Sequence, residues 1–157
     1  MKEVNMYIYT EFTGRLAAGT GKYHVMLEHM VKTKEGEVPK TLEEYDICHD
    51  ITKNRLEILA VVKGLRRMVL PSRITIYTSS EYVYSAFKHN RIEKWSMNEF
   101  KSGKRQIKHA DLWKELAAIR KEHEIEIIKV EKTTYTAFQK RELKDIEKGK
   151  DETKEER

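Results

Sequence analysis

Cysteine is almost missing from this chain: Cys48 is the one thiol in 157 residues. No internal disulfide can form, so a stapled secreted scaffold is excluded. The histidines show no ligand spacing and no Cys/His cluster of zinc type occurs, which argues against a zinc ribbon. No apolar run approaches the roughly 18 residues that a membrane span requires. The opening Met1-Lys2-Glu3-Val4-Asn5 carries no apolar core of a secretory leader, so the expected address is the cytoplasm. What is present is 39% hydrophobic and 36% charged residues, the make-up of a folded chain with a wet surface rather than a disordered one. The length suits one domain with a real core. Lys plus Arg is 31 against 26 for Asp plus Glu, a net charge of +5. That excess permits a polyanionic partner without demanding one.

Periodicity supplies the elements. Val4, Met6 and Ile8 alternate with Asn5, Tyr7 and Tyr9, so residues 4–12 read as a strand. Strands are also expected over 22–32 and 43–51, separated by the polar stretch from Lys32 to Pro39 and forming an antiparallel meander. The period then changes. Ile58, Val61, Val62, Leu65 and Val69 form a helical stripe, widened by Leu56, Leu59 and Ala60, and Pro71 is expected to end that central helix. Residues 73–79 return to strand. Short helices follow over 80–90 and 92–100, and a longer one over 109–122. A last strand spans 124–131 and a last helix 136–149, beyond which the charged tail 149–157 should fray. The order β-β-β-α-β-α-α-α-β-α implies an α/β fold, a mixed sheet covered by helices. Residues 1–148 read as a single domain.

Several anchors, in order, carry a family resemblance. Tyr9-Thr10-Glu11 closes the first strand, Gly19-Thr20-Gly21-Lys22-Tyr23 makes a Gly-rich turn, and Thr52-Lys53-Asn54-Arg55-Leu56-Glu57 opens the central helix. Tyr77-Thr78-Ser79-Ser80-Glu81-Tyr82-Val83 and Lys104-Arg105-Gln106-Ile107-Lys108-His109-Ala110-Asp111-Leu112-Trp113 follow. In these stretches the sequence resembles ribonuclease H of the bacterial type 1 family, over nearly the whole chain and more weakly after Val130. The resemblance implies a ribonuclease H-like fold with a five-stranded mixed sheet, its first three strands antiparallel, with helices on both faces. It also implies an RNA/DNA hybrid as ligand.

The implied chemistry is cleavage of the RNA strand by water, with two Mg2+ or Mn2+ ions about 4 Å apart clamping the attacking and leaving oxygens. Such ions want anionic oxygen ligands, and the family converges four carboxylates on them. Glu11 stands at the first carboxylate position, one methylene longer than the family's Asp, and Phe12 replaces a Gly beside it. Its plain alternative is a polar residue at a strand end. Glu57 matches the second position; by pattern it could equally complete a capping box with Asn54 as N-cap. Ser79 stands at the third and offers only a neutral hydroxyl. Glu81 would be turned away by a helix beginning near Ser80. The family's loop histidine falls at Thr133 and its last Asp at Leu143, with Glu142 or Asp145 available only if the loop changes length. The catalytic set implied is therefore Glu11, Glu57, Ser79, Glu142 and Asp145, with Glu11 and Glu57 as metal ligands. Weak or absent cleavage is expected, and a protein without a metal is allowed for.

The segment Lys101 to Lys108 has four cations and no acid, and Trp95, Phe100 and Trp113 flank it. Cations neutralise phosphates and aromatics pack or stack. The resemblance makes Lys101, Lys104, Arg105 and Lys108 a basic protrusion that grips nucleic acid, with Thr52, Asn54 and Arg55 beside it. A solvated loop above core tryptophans, with Thr52 as a helix cap, is the plain alternative. Lys53, Glu81 and Ala17 depart from the family's polar contacts. Three functions follow: a hybrid- or duplex-binding protein with cleavage weakened or lost, an active hybrid endoribonuclease with a rearranged site, and a protein-interaction module that keeps only the fold.

Overall fold

The computed structural model describes residues 1–14 and 18–155, the side chains of 150–155 excepted. Three long strands open the chain: β1 (Lys2–Thr13), β2 (Gly19–Thr33) and β3 (Gly36–Ile51). They form an antiparallel meander, with Tyr9 opposite His24 and Glu11 opposite Lys22. After helix α1 (Lys53–Leu65), β4 (Ser72–Thr78) runs parallel to β1. Helices α2 (Glu81–Lys88) and α3 (Arg91–Met97) come next, then two short strands, β5 (Lys101–Ser102) and β6 (Arg105–Gln106), paired as a hairpin. Helix α4 (Ala110–Arg120) leads to β7 (Glu124–Lys129), parallel to β4, and the chain ends in α5 (Thr136–Glu155). The main sheet has the order β3-β2-β1-β4-β7. This is the five-stranded mixed sheet expected from the sequence.

The two faces of the sheet are covered differently. Val4 and Met6 of β1, with Val25 and Leu27 of β2, meet α1 in the core. Leu56, Ile58, Ala60, Val61 and Val62 are fully buried, because α1 lies between the sheet and the α2–α4 layer. Gly64 permits this approach: a Cβ there would stand 2.5 Å from the Met6 sulfur. On the opposite face α5 packs against β1 and β2. Its buried Gln139 donates to the Tyr7 carbonyl at 3.0 Å and the His24 carbonyl at 3.2 Å. No helix among the described residues is long and apolar enough to cross a membrane.

Several boundaries differ from the sequence reading. Helix α1 stops at Leu65, not at Pro71, and Val69 is 92% exposed rather than part of the core stripe. Tightened bonds from Arg67 N–H to Gly64 O and from Met68 N–H to Leu65 O end it, and Leu70, preceding proline, is biased away from helix. The polar stretch between the second and third strands is itself strand, turning only at Lys34-Glu35. Thr33 Oγ1 closes that turn, accepting from Glu35 N–H at 3.2 Å and donating to Gly36 O at 2.7 Å. Polar residues and Pro39 are tolerated because β3 is an edge strand. Helix α3 ends at Met97, and the expected helix backbone after it gives way to the hairpin, with Gly103 at φ +66° in its turn. The helix read over 136–149 continues as backbone helix to Glu155.

Candidate functional site

Two of the carboxylate positions, Glu11 near the end of β1 and Glu57 on α1, are each held by protein partners of their own. Thr52 caps α1, its Oγ1 accepting from Arg55 N–H at 3.2 Å. The capping box on Asn54 does not form, and Glu57 lies beyond the first turn. Its side chain is instead 7% exposed and accepts a short hydrogen bond from Ser80 Oγ. Ser80 is itself the N-cap of α2, accepting from Val83 N–H at 3.1 Å, while its own N–H is taken by Thr78 Oγ1 at 3.1 Å. Burial pushes the Glu57 carboxyl above its ordinary range; the Ser80 bond and Lys53 oppose that rise.

Glu11 is occupied by the protein itself. Tyr9 donates its hydroxyl to Glu11 Oε2 at 2.6 Å, and Lys22 Nζ lies 3.5 Å from Oε1. The same Nζ sits 2.7 Å from Glu147 of α5. The Glu147 bond is the main cause that raises the Lys22 pKa, and burial followed by Glu11 raises that of Tyr9. Neither Tyr9 nor Lys22 stood out in the sequence as a site residue. The signal was available in the hairpin register, which sets both on the sheet face of Glu11.

The remaining positions scatter. Ser79 is exposed at the end of β4. Glu81 opens α2 and is held by Lys129 at 2.5 Å and Ser85 at 2.8 Å. Thr133 accepts from Tyr135 N–H at 3.1 Å ahead of α5. Leu143 is fully buried, Glu142 is half-buried and Asp145 is exposed. Ala17 lies outside the described residues. Among the described residues no three His, Cys, Asp or Glu side chains gather as a group that could hold a metal ion.

The basic segment is the β5–β6 hairpin, on which Lys101, Lys104, Arg105 and Lys108 are all exposed. Its base is aromatic. Phe100 and Trp113 are buried, Trp95 and Trp113 rings are 5.0 Å apart, and Trp113 Nε1 donates to the Tyr82 hydroxyl at 2.9 Å. These tryptophans are packing residues beneath the cations. Thr52 and Asn54 are exposed at the start of α1. Arg55 is not free: it donates to both oxygens of Asp111, at 3.1 and 2.6 Å.

The RNase H family model matches residues 3–134. The chain belongs to that family. A ribonuclease H of Caldicellulosiruptor saccharolyticus is 36% identical over 131 residues, 83% of each chain. That of Thermoanaerobacter sp. is 44% identical over 80 residues, a match spanning 50% of this chain and 52% of the relative. Solved structures agree on the fold. "LC9-RNase H1, a type 1 RNase H with the type 2 active-site motif" superposes with a TM-score of 0.67 at 19% identity, over 85% of this chain and 64% of that one. LC11-RNase H1, solved in complex with RNA/DNA hybrid, gives 0.56 at 13% identity, over 87% and 92%.

Proposed function

We propose that this RNase H family member binds RNA/DNA hybrid or a related duplex through its basic hairpin and the start of α1, and that metal-dependent cleavage is weakened or lost. The carrying observation is the state of its two best carboxylates. Both Glu11 oxygens face protein partners, and Glu57 is buried against Ser80. The third position is a neutral serine, and the Leu143 position is core. A pair of divalent cations needs several free anionic oxygens converging on it. The donors present do not fit that requirement. The cationic hairpin supports retained binding, because exposed cations neutralise phosphate and release counterions. A structural neighbour's complex with hybrid is consistent with that ligand class.

One observation favours a second reading. A type 1 neighbour carries the type 2 active-site motif, so this fold accepts more than one arrangement of site residues. In that reading the chain is an active endoribonuclease using Mg2+ or Mn2+ with Glu142 or Asp145 recruited. Incubation with labelled hybrid and Mg2+ or Mn2+ separates the two. Binding without cleavage above background is expected; robust cleavage abolished by Glu57→Ala would establish the second. Absence of any salt-sensitive hybrid binding would instead favour the interaction module.

A further inference from the structure

The basic hairpin stands on unfavourable backbone at both feet. Glu99 and Phe100, just before β5, have φ of +55° and +60°, and His109, just after the cationic segment, has φ of +61°. Such left-handed conformations are uncommon for residues other than glycine and persist where surroundings hold them. The first foot is held by burial of Phe100, whose N–H donates to Trp95 O at 2.7 Å and whose carbonyl accepts from Ile107 N–H at 2.9 Å. The second foot is held from a distance. Arg55, on α1, donates both prongs to Asp111 and brings its NH1 within 3.4 Å of His109 Nδ1. His109 is the N-cap of α4, yet its side chain makes no cap bond. The Arg55–Asp111 pair therefore anchors the first turn of α4 where local capping does not.

We propose that Arg55 is a positioning residue: through Asp111 it fixes the exit of the hairpin, so that Lys104, Arg105 and Lys108 are presented together with Thr52 and Asn54 as one phosphate-binding face. This rests on the hybrid-binding reading and replaces a direct phosphate role for Arg55. A two-pronged guanidinium–carboxylate bond supplies geometry as well as attraction, which suits a pin. Both NH groups engaged with Asp111 are withheld from a phosphate.

The sign of one substitution decides. Asp111→Asn removes a negative charge near the binding face, so electrostatics alone would tighten hybrid binding. If Asp111 and Arg55 act as a pin, Asp111→Asn weakens binding about three- to tenfold, Arg55→Gln does the same, and the double variant is no worse than either single, as expected for one coupled unit. Fluorescence anisotropy with a labelled hybrid at fixed salt reads this. Tighter or unchanged binding by Asp111→Asn, with loss confined to Arg55→Gln, would overturn the pin and return Arg55 to direct contact. Amide exchange on the free proteins is the second measurement. Exchange at Gln106 and Ile107 should quicken in both single variants while β1 amides stay protected; unchanged hairpin exchange overturns the proposal. Should the unaltered protein fail to bind hybrid, the function reading falls, and exchange alone still judges the pin.

Discussion

The carboxylate region and the basic hairpin carry opposite charges and treat them in opposite ways. Around Glu11 and Glu57 the protein has turned its charges inward: Lys22 and Tyr9 engage one, Ser80 and burial engage the other. On the hairpin, Lys104, Arg105 and Lys108 form no ion pair among the described residues, while Phe100 and Trp113 beneath them are buried and Trp95 is half-buried. A charge satisfied inside the protein is poorly available to an outside ion, whereas an exposed one keeps its full reach to phosphate. The proposed function, binding kept and metal chemistry diminished, thus rests on one difference in the placement of charge.

The sharpest way to break that contrast is to restore the family's last carboxylate where the sequence aligns it. Leu143 is fully buried on α5, one helical turn beyond the sheet-facing Gln139. Leu143→Asp should not create a ligand; it should bury an unpaired charge and cost about 4 kcal/mol of stability. Thermal or denaturant unfolding measures it, and a variant as stable as the parent would mean the position opens toward the site. Next in size is the cationic face. Lys104→Ala, Arg105→Ala and Lys108→Ala combined should weaken hybrid binding at moderate salt by roughly tenfold or more and flatten its dependence on salt. A full-strength triple variant would move the binding face elsewhere.

A smaller effect of opposite sign is expected at Glu57. Its carboxylate is held in a buried setting that raises its pKa, so at neutral pH the charge is a cost to the folded state. Glu57→Gln keeps an acceptor for Ser80 and removes the charge. Its melting temperature should rise by about 2 °C, whereas Glu57→Ala, which removes the acceptor of the Ser80 hydroxyl proton and leaves a void, should lower it. Equal destabilisation by both would show that the charge itself is useful there.

Much of this was legible in the sequence, and the parts that were not share a cause. Alternation in β1 and the helical stripe of α1 report which face is buried, and that is why the order of elements and the sheet class could be read. The end of α1 and the length of the β2–β3 hairpin could not, since an edge strand accepts polar residues and proline that elsewhere mark a loop. Motif matching located Glu11, Glu57 and Ser79 but not their company. Ser80 meets Glu57 across 23 residues and Glu147 meets Lys22 across 125, so only the folded chain brings them together. Arg55 shows the same limit: its type suggested phosphate, while its partner Asp111 lies 56 residues on.

The smallest expected effect probes the foot of the hairpin through pH. Burial lowers the His109 pKa, with Arg55 and Lys108 lowering it further and Asp111 opposing; Tyr82 packs edge-on against the ring. A folded value below the unfolded one, near 6.5 for imidazole, means the unfolded chain takes up the proton more readily. The stabilising contribution is then present above about pH 6.5 and declines as pH falls through the folded value. His109→Asn tests this without disturbing the backbone, because asparagine also accepts left-handed φ. Between pH 7.5 and 5.5 the parent should lose about 1 °C of melting temperature relative to the variant, the other histidines cancelling in the comparison. A difference that is flat with pH, or that grows in favour of the parent on acidification, would show that the imidazole is not held neutral beside Arg55, and would place the hairpin's exit under different control.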